Sequence, residues 1–244
     1  MERTKPIKML QNEVLLRRLV MTHPKRPVIE ADLSKLKAGF KGEQTSDYYV
    51  SLLPQNIYHL LPGLRLKDGD FYFQMDSVII TSKLIFVLEV KNIAGTIYFD
   101  LNNDQMIRTL DEVEEGFQNP YTQVQLQKKH LKNWLHHHKF PDIPIETLVV
   151  ISHPSTILKN TDHKLQNLTY ASNLPFEIES TYQKYYNKIL TKKDYLKLKN
   201  KLKRSNEPLF LDILKTYQIN KADILTGVHC PECNSIPMLR IARH

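Results

Sequence analysis

Cysteine is almost missing from this chain. It supplies two of 244 residues, Cys230 and Cys233, three positions apart near the C-terminal end. Such a pair does not describe the disulfide framework by which small secreted domains compensate for a thin core. Long apolar runs are missing too: IITSKLIFVLEV is broken by Lys83 and Glu89, and no stretch approaches the roughly 20 apolar residues of a membrane span. No transmembrane anchoring is therefore expected. The opening, MERTKPIKMLQNEVLLRRLV, has charges interrupting every apolar stretch and lacks a small-residue cleavage signal, so it does not read as a signal peptide. Glycine (7) and proline (13) are too scarce for a disordered or low-complexity chain, and no internal repeat is present. These absences predict a soluble globular protein with a cytoplasmic location.

What is present suits one main core. A hydrophobic fraction of 41% and a charged fraction of 25% fit a globular chain, and the length allows one α/β domain of about 150 residues with smaller attachments. The formal charge is +8, from 34 Lys and Arg against 26 Asp and Glu. A surplus of that size attracts polyanions such as nucleic acid or an anionic membrane face, without choosing between them. Basic residues are densest from Lys188 to Arg204, where eight Lys or Arg stand against Asp194; a solvated helix face is the plainer reading of that run.

Periodicity sets the organisation. Leu10 to Met21 has helical spacing, and the two prolines of Thr22–Pro27 should interrupt it. From Glu30 the chain reads as helix over much of its length, with Gly39 and Gly42 weakening the middle and Glu43 on it. Ile57–Leu61 is a short extended segment. FYFQMDSVII and LIFVLEVK are stronger strands, joined by a tight hairpin at Thr81–Lys83, and the second is apolar on both faces, as near a sheet centre. TIYFD reads as a further strand, Asn119-Pro120 opens a polar helix running to about His138, and IETLVVIS is the next strand. Lys164–Asn173, Thr181–Leu202 and Glu207–Tyr217 are expected helices, the last starting near Ser205 or Asn206. This alternation favours one packed α/β sheet domain. The expected divisions are an N-terminal arm (1–29), a core (30–152), a mainly helical extension (153–226) and a cysteine-containing tail (227–244).

The sharpest local feature is Glu89-Val90-Lys91 at the end of an apolar strand. Residues two apart on a strand point to the same face, so Glu89 and Lys91 can share a site, although the triplet alone also fits an ordinary surface ion pair. Asp76 lies on the preceding strand, where a hairpin brings its carboxylate beside Glu89. Two neighbouring anions invite a cation, and hard oxygen ligands suit Mg²⁺ or Mn²⁺. Lys91 would then orient water or stabilise developing phosphate charge. Glu43 can reach the same place from its helix as a further ligand to metal or water, and the Gln123 amide offers both a donor and an acceptor.

The strings KGE at Lys41–Glu43, FQMDSVII at Phe73–Ile80, FVLEVKNIAGTIYFD at Phe86–Asp100 and NPYTQVQLQKKHL at Asn119–Leu131 resemble, in that order, the nuclease-related domain (NERD). The resemblance extends over about Ala38–Ser152, and that family is similar to the PD-(D/E)XK nucleases. It implies a restriction-endonuclease-like mixed sheet flanked by helices, here with a largely helical C-terminal extension. By the same resemblance Glu43 matches the helix glutamate, Asp76 the acid of the first hairpin strand, Glu89 and Lys91 the E-x-K pair, and Gln123 the glutamine after the Asn-Pro turn. Met75 stands where an aliphatic residue is more usual. The implied activity is hydrolysis of DNA phosphodiesters with Mg²⁺ or Mn²⁺, Asp76 and Glu89 being the principal metal ligands. Nonenzymatic binding of DNA or nucleoprotein is the alternative.

Lys128 and Lys129, on the helix of Gln123, are candidate phosphate contacts, which carry no base preference. His136, His137 and His138 radiate in different directions and read as surface residues. The tail string GVHCPECNSIPMLR resembles the first half of a zinc-ribbon tail attached to some nuclease-related proteins. Cys230 and Cys233 supply half of a tetrahedral Zn²⁺ site, which would need His229, His244, a protein partner or a second copy of the chain to complete it.

Overall fold

The computed structural model describes residues 3–100, 102–159, 166–232 and 236. In chain order the elements are α1 (Ile7–Arg18), α2 (Arg26–Ser51), β1 (His59–Asp68), β2 (Phe71–Ile80), β3 (Ile85–Lys91), β4 (Thr96–Asp100), β5 (Gln105–Leu110), β6 (Val113–Gln118), α3 (Pro120–His137), β7 (Ile145–Ile151), β8 (Ile157–Leu158), β9 (Leu168–Tyr170), α4 (Leu174–Gln183), α5 (Lys192–Arg204) and α6 (Ile213–Tyr217). The chain forms two compact units. Residues 1–3 and 41–208 make one, and residues 4–40 and 209–244 the other.

The larger unit holds a five-stranded sheet, in the order β1-β2-β3-β7-β9, and a four-stranded sheet, in the order β6-β5-β4-β8. Both are mixed: β1, β2 and β3 pair antiparallel and β7 and β9 continue in parallel, while β8 pairs parallel with β4 beside the β4-β5-β6 meander. This is the mixed α/β architecture flanked by helices that the sequence led us to expect, consistent with a restriction-endonuclease-like fold. Strand β3 is central, and its sequence says why. Ile85 and Val87 face one buried cluster with Val124, Leu131 and Trp134 of α3 and Leu198 and Leu202 of α5. Phe86, Leu88 and Val90 face another with Val50 of α2 and Leu174 and Ile178 of α4. A strand buried on both faces has no room for charge except at its end, where Glu89 and Lys91 lie.

Local chemistry fixes the flanking elements. The Thr81 hydroxyl accepts from the Lys83 and Leu84 N–H groups at 3.1 and 3.0 Å and donates to the Leu84 carbonyl at 2.7 Å, closing the β2–β3 hairpin. Asn119 caps α3 by accepting from the Tyr121 N–H at 3.0 Å, with Pro120 in the first turn. Its amide also donates to Asp104 at 2.7 Å, and Thr122 Oγ1 donates to the same carboxylate at 2.7 Å, so the β4–β5 turn anchors the start of α3.

In the smaller unit, Leu15 of α1, Leu19 just after it, Ile29 of α2, Tyr217 of α6 and Ile219 just after it pack together. The Tyr217 hydroxyl accepts from Asn12 at 3.0 Å and donates to Asp32 at 2.8 Å. Among the described residues no helix is long and apolar enough to cross a membrane.

Several expected elements came out differently. The sequence did not announce β5 and β6, because β6 reads VEEGFQ and is largely exposed. Their two-residue turn uses Asp111 and Glu112, both at positive φ (51° and 63°), without the glycine or asparagine that normally signals it. Of the helix expected over 164–173, positions 164 and 165 lie outside the described residues, while Leu168–Tyr170 is strand β9 beside β7. The helix expected over Thr181–Leu202 is interrupted because the Ile189 and Leu190 N–H groups donate to the Ser82 carbonyl, at 2.8 and 2.9 Å, with Leu190 buried. The helix expected over Glu207–Tyr217 is confined to α6. Instead, the Glu207 N–H donates to the Arg65 carbonyl at 2.9 Å, and Pro208 disfavours helical backbone at the residue before it.

Two glycines of α2 should respond oppositely to alanine. A Cβ on Gly39 would meet nothing within 4 Å, so Gly39→Ala is expected to raise stability by about 0.5–1 kcal/mol, the usual helix-propensity difference. A Cβ on buried Gly42 would come within 2.5 Å of the Ser152 hydroxyl and closer still to Asn92 Cβ. Gly42→Ala is therefore expected to destabilise by about 1–3 kcal/mol through overpacking. Denaturant unfolding of the two variants checks both signs.

Candidate active site

The site begins with a slip in the sheet. Along β1, Leu61 and then Leu64 and Leu66 face the same cluster; along β2, Val78 and Ile80 and then Met75 and Phe73 do so. Strict alternation forbids this, so each strand shifts by one face between those residues. The pairing of the two strands runs from Pro62↔Ser77 to Leu64↔Met75 and skips Gly63 and Asp76. Gly63 has φ +60°, open to glycine at little cost. On its other side β2 leaves β3 at the same point, the last pair being Ser77↔Leu88. Beyond that pair the Asp76 side chain, rather than its backbone, accepts the Val90 N–H at 2.9 Å. Asp76 thus stands opposite Glu89 at a fork between two strands.

Helix α3 closes one side. Glu89 is 2% exposed, and both its oxygens are engaged: Oε1 accepts from Lys91 Nζ at 2.6 Å and Oε2 from Gln127 Nε2 at 2.8 Å. Lys91 Nζ also donates to Gln123 Oε1 at 3.0 Å. Helix α2 closes the other side with Glu43 and Asp47, four residues apart and so on one helix face. Tight packing at Gly42 brings this face to the sheet.

Between the two acids of α2 and the fork lies Arg3, whose side chain is 4% exposed. Nε and NH2 donate to the two Asp47 oxygens at 2.7 and 2.9 Å, NH1 donates to Glu43, and NH2 further reaches the Asp76 carbonyl at 2.9 Å and the Ser77 hydroxyl at 2.6 Å.

The charges do not balance. Four carboxylates (Glu43, Asp47, Asp76, Glu89) face two cations (Arg3, Lys91), leaving two negative charges when all are ionised. Burial, then the nearby Glu89 and Glu43, push Asp76 up to about 8, against the pull of the Val90 N–H and Lys91. Asp76 keeps a strip of accessible surface, but the protein atoms crowded around it set its solvation. Glu43 is also raised, by burial first, with Arg3 opposing. Burial works against the charge on Arg3, yet Asp47 and Glu43 hold it firmly protonated.

The structure therefore brings together Glu43, Asp76, Glu89, Lys91 and Gln123. Three neighbours were missed. Asp47 and Gln127 were within reach of sequence reasoning, each four positions along a helix from a named residue. Arg3 was not, because its contacts span 40 to 74 positions. On α3, Lys129 is exposed and Lys128 half-buried. His138 stacks on Trp134 at 4.1 Å between ring centroids and bonds its carbonyl at 2.9 Å, a structural role. Cys230 is a half-buried free thiol; Cys233 and His244 lie outside the described residues.

Among the described residues no three His, Cys, Asp or Glu side chains form a ready metal cage. Mg²⁺ does not require one, since it is commonly held by one or two carboxylates, with water and substrate phosphate completing its sphere. Asp76 and Glu89 meet that requirement, and a divalent charge answers the two uncompensated negative charges.

A Bacillus anthracis protein described as uncharacterized is 29% identical over 177 residues, covering 69% of this chain and 79% of the relative. No solved structure shows significant similarity to the chain. Residues 38–152, which contain Glu43, Asp76, Glu89, Lys91 and Gln123, match the family model of NERD, the nuclease-related domain.

Proposed function

We propose that the fork between β2 and β3 is the active site of a DNA phosphodiester hydrolase dependent on Mg²⁺ or Mn²⁺. The observation that carries this is the facing pair Asp76 and Glu89 with Lys91 Nζ 2.6 Å from Glu89. A hard divalent ion between those carboxylates would supply Lewis acidity and offset phosphate charge. Lys91, whose Nζ lies beside Glu89, would orient the attacking water and face the charge that grows on the phosphate. Gln123 holds the Lys91 ammonium in place, and Gln127 holds Glu89. Glu43 is an additional water or metal ligand on the α2 side. Phosphates along the rest of the bound strand meet the surplus positive charge, with Lys128 and Lys129 as contacts.

A second reading, nonenzymatic binding of DNA or nucleoprotein, has its own support: both Glu89 oxygens are satisfied without a metal. One experiment separates the two. Linear, nicked, supercoiled and single-stranded DNA are incubated with the full chain and Mg²⁺ or Mn²⁺ at matched ionic strength, because phosphate contacts weaken steeply with salt. Cleavage of at least one form, abolished by chelator, is the expected result. Binding of every form with no cleavage across metal and pH replaces hydrolysis by the second reading.

Structural Zn²⁺ at Cys230 and Cys233 is a separate proposal, which needs two further ligands. The expected outcome is sub-stoichiometric or shared zinc: metal content read with molecular mass should show more than one chain per ion unless His229 or another side chain joins. A full complement in a monomer with no further ligand overturns it.

A further inference from the structure

We propose that Arg3 is the built-in second cation of this centre, a positioning residue that holds Glu43 and Asp47 so that a single divalent ion suffices. The inference rests on the hydrolase reading above. Four carboxylates gathered at one fork would, with Lys91 alone to oppose them, leave three negative charges, so one divalent ion would still leave one uncompensated and a second ion would be drawn in. The single charge of Arg3 removes that remainder. Its planar fork takes both oxygens of Asp47, reaches Glu43 with the other nitrogen, and is shielded from solvent almost completely. Lysine could not reproduce that bidentate geometry. Arg3 also holds the Asp76 carbonyl and the Ser77 hydroxyl. It thereby draws the β2 backbone away from β3 at the point where the Asp76 carboxylate takes over the Val90 N–H. One side chain therefore neutralises the α2 acids and keeps the fork open. Without it, Glu43 and Asp47 would repel each other on one face of α2 and repel Asp76 and Glu89 across the gap.

Mn²⁺ binding by the full chain tests this, with stoichiometry from titration and the number of ions linked to folding from the rise of melting temperature with Mn²⁺ concentration. The parent should bind about one ion at the fork, Arg3→Ala about two, and Arg3→Lys, which keeps the charge, about one. The melting series remains readable even if Arg3→Ala is unfolded in chelator, since the concentration dependence of refolding reports the same number. Arg3→Ala with one ion and the parental affinity overturns the role of Arg3 while leaving the hydrolase reading intact. A parent that binds no ion at the fork overturns both.

Discussion

Replacing Asp76 with Asn is expected to raise the melting temperature of the metal-free protein while lowering DNA cleavage about 100-fold or more. Both effects have one origin. In the unfolded chain Asp76 ionises near 3.8, whereas burial among Glu89 and Glu43 pushes it up to about 8 in the fold. Between those values the folded protein keeps a proton that the unfolded chain has lost. Its contribution is therefore fully present at low pH and lost as pH rises from about 4 to about 8. The cost at alkaline pH is on the order of a few kcal/mol, trimmed by the strip of open surface. Asn is neutral at every pH and can still accept the Val90 N–H, so the variant should show a flatter profile in EDTA between pH 5 and 9. Mn²⁺ should oppose the loss in the parent, increasingly so as pH rises and the carboxylate is freed, and have little effect on Asp76→Asn. A parental pH profile in the variant would show that Asp76 is not the strained group.

The second large effect is expected at Lys91. Glu89 is 2% exposed, and its charge is supported by Lys91 and Gln127. Lys91→Ala leaves that carboxylate buried beside a single amide, which should cost the metal-free protein about 3 kcal/mol, near the lower end for a broken buried pair because Lys91 is itself 20% exposed. Cleavage should fall by about 10²–10⁴-fold, the range for a lost proton-transfer or charge-stabilising group. Adding Glu89→Gln to Lys91→Ala should return much of the stability and none of the activity, since the orphaned charge disappears with its partner. Denaturant unfolding in EDTA reads the first quantity and a cleavage assay the second. Additive stability losses in the double variant would show that the pair is not coupled.

What the sequence made legible was the part carried by strong periodicity and by charges placed where an apolar strand cannot bury them. The hairpin of β2 and β3, the Asn119 cap and the neighbourhood of Asp76, Glu89 and Lys91 follow from such signals, whereas Gln123 was placed there by the resemblance to the nuclease-related domain. The slip at Gly63 and Asp76 does not, because it is a relation between two strands rather than a pattern within one. The β5–β6 hairpin was hidden by polar residues and a turn built from Asp111 and Glu112. The helical turns expected over 184–191 and 207–212 lost to tertiary hydrogen bonds, at the Ser82 and Arg65 carbonyls. Arg3, the centre's most highly connected cation, gave no signal at all.

The most direct measurement compares the full chain with Glu89→Ala, both verified as folded, by the single-turnover rate on the most susceptible form of DNA in Mn²⁺, each with an EDTA control. The expected result is cleavage by the parent alone, abolished by EDTA, with Glu89→Ala slower by about 100-fold or more. A Glu89→Ala chain that cuts at the parental rate, or parental cleavage that survives EDTA, would contradict a metal-dependent centre at the fork of β2 and β3.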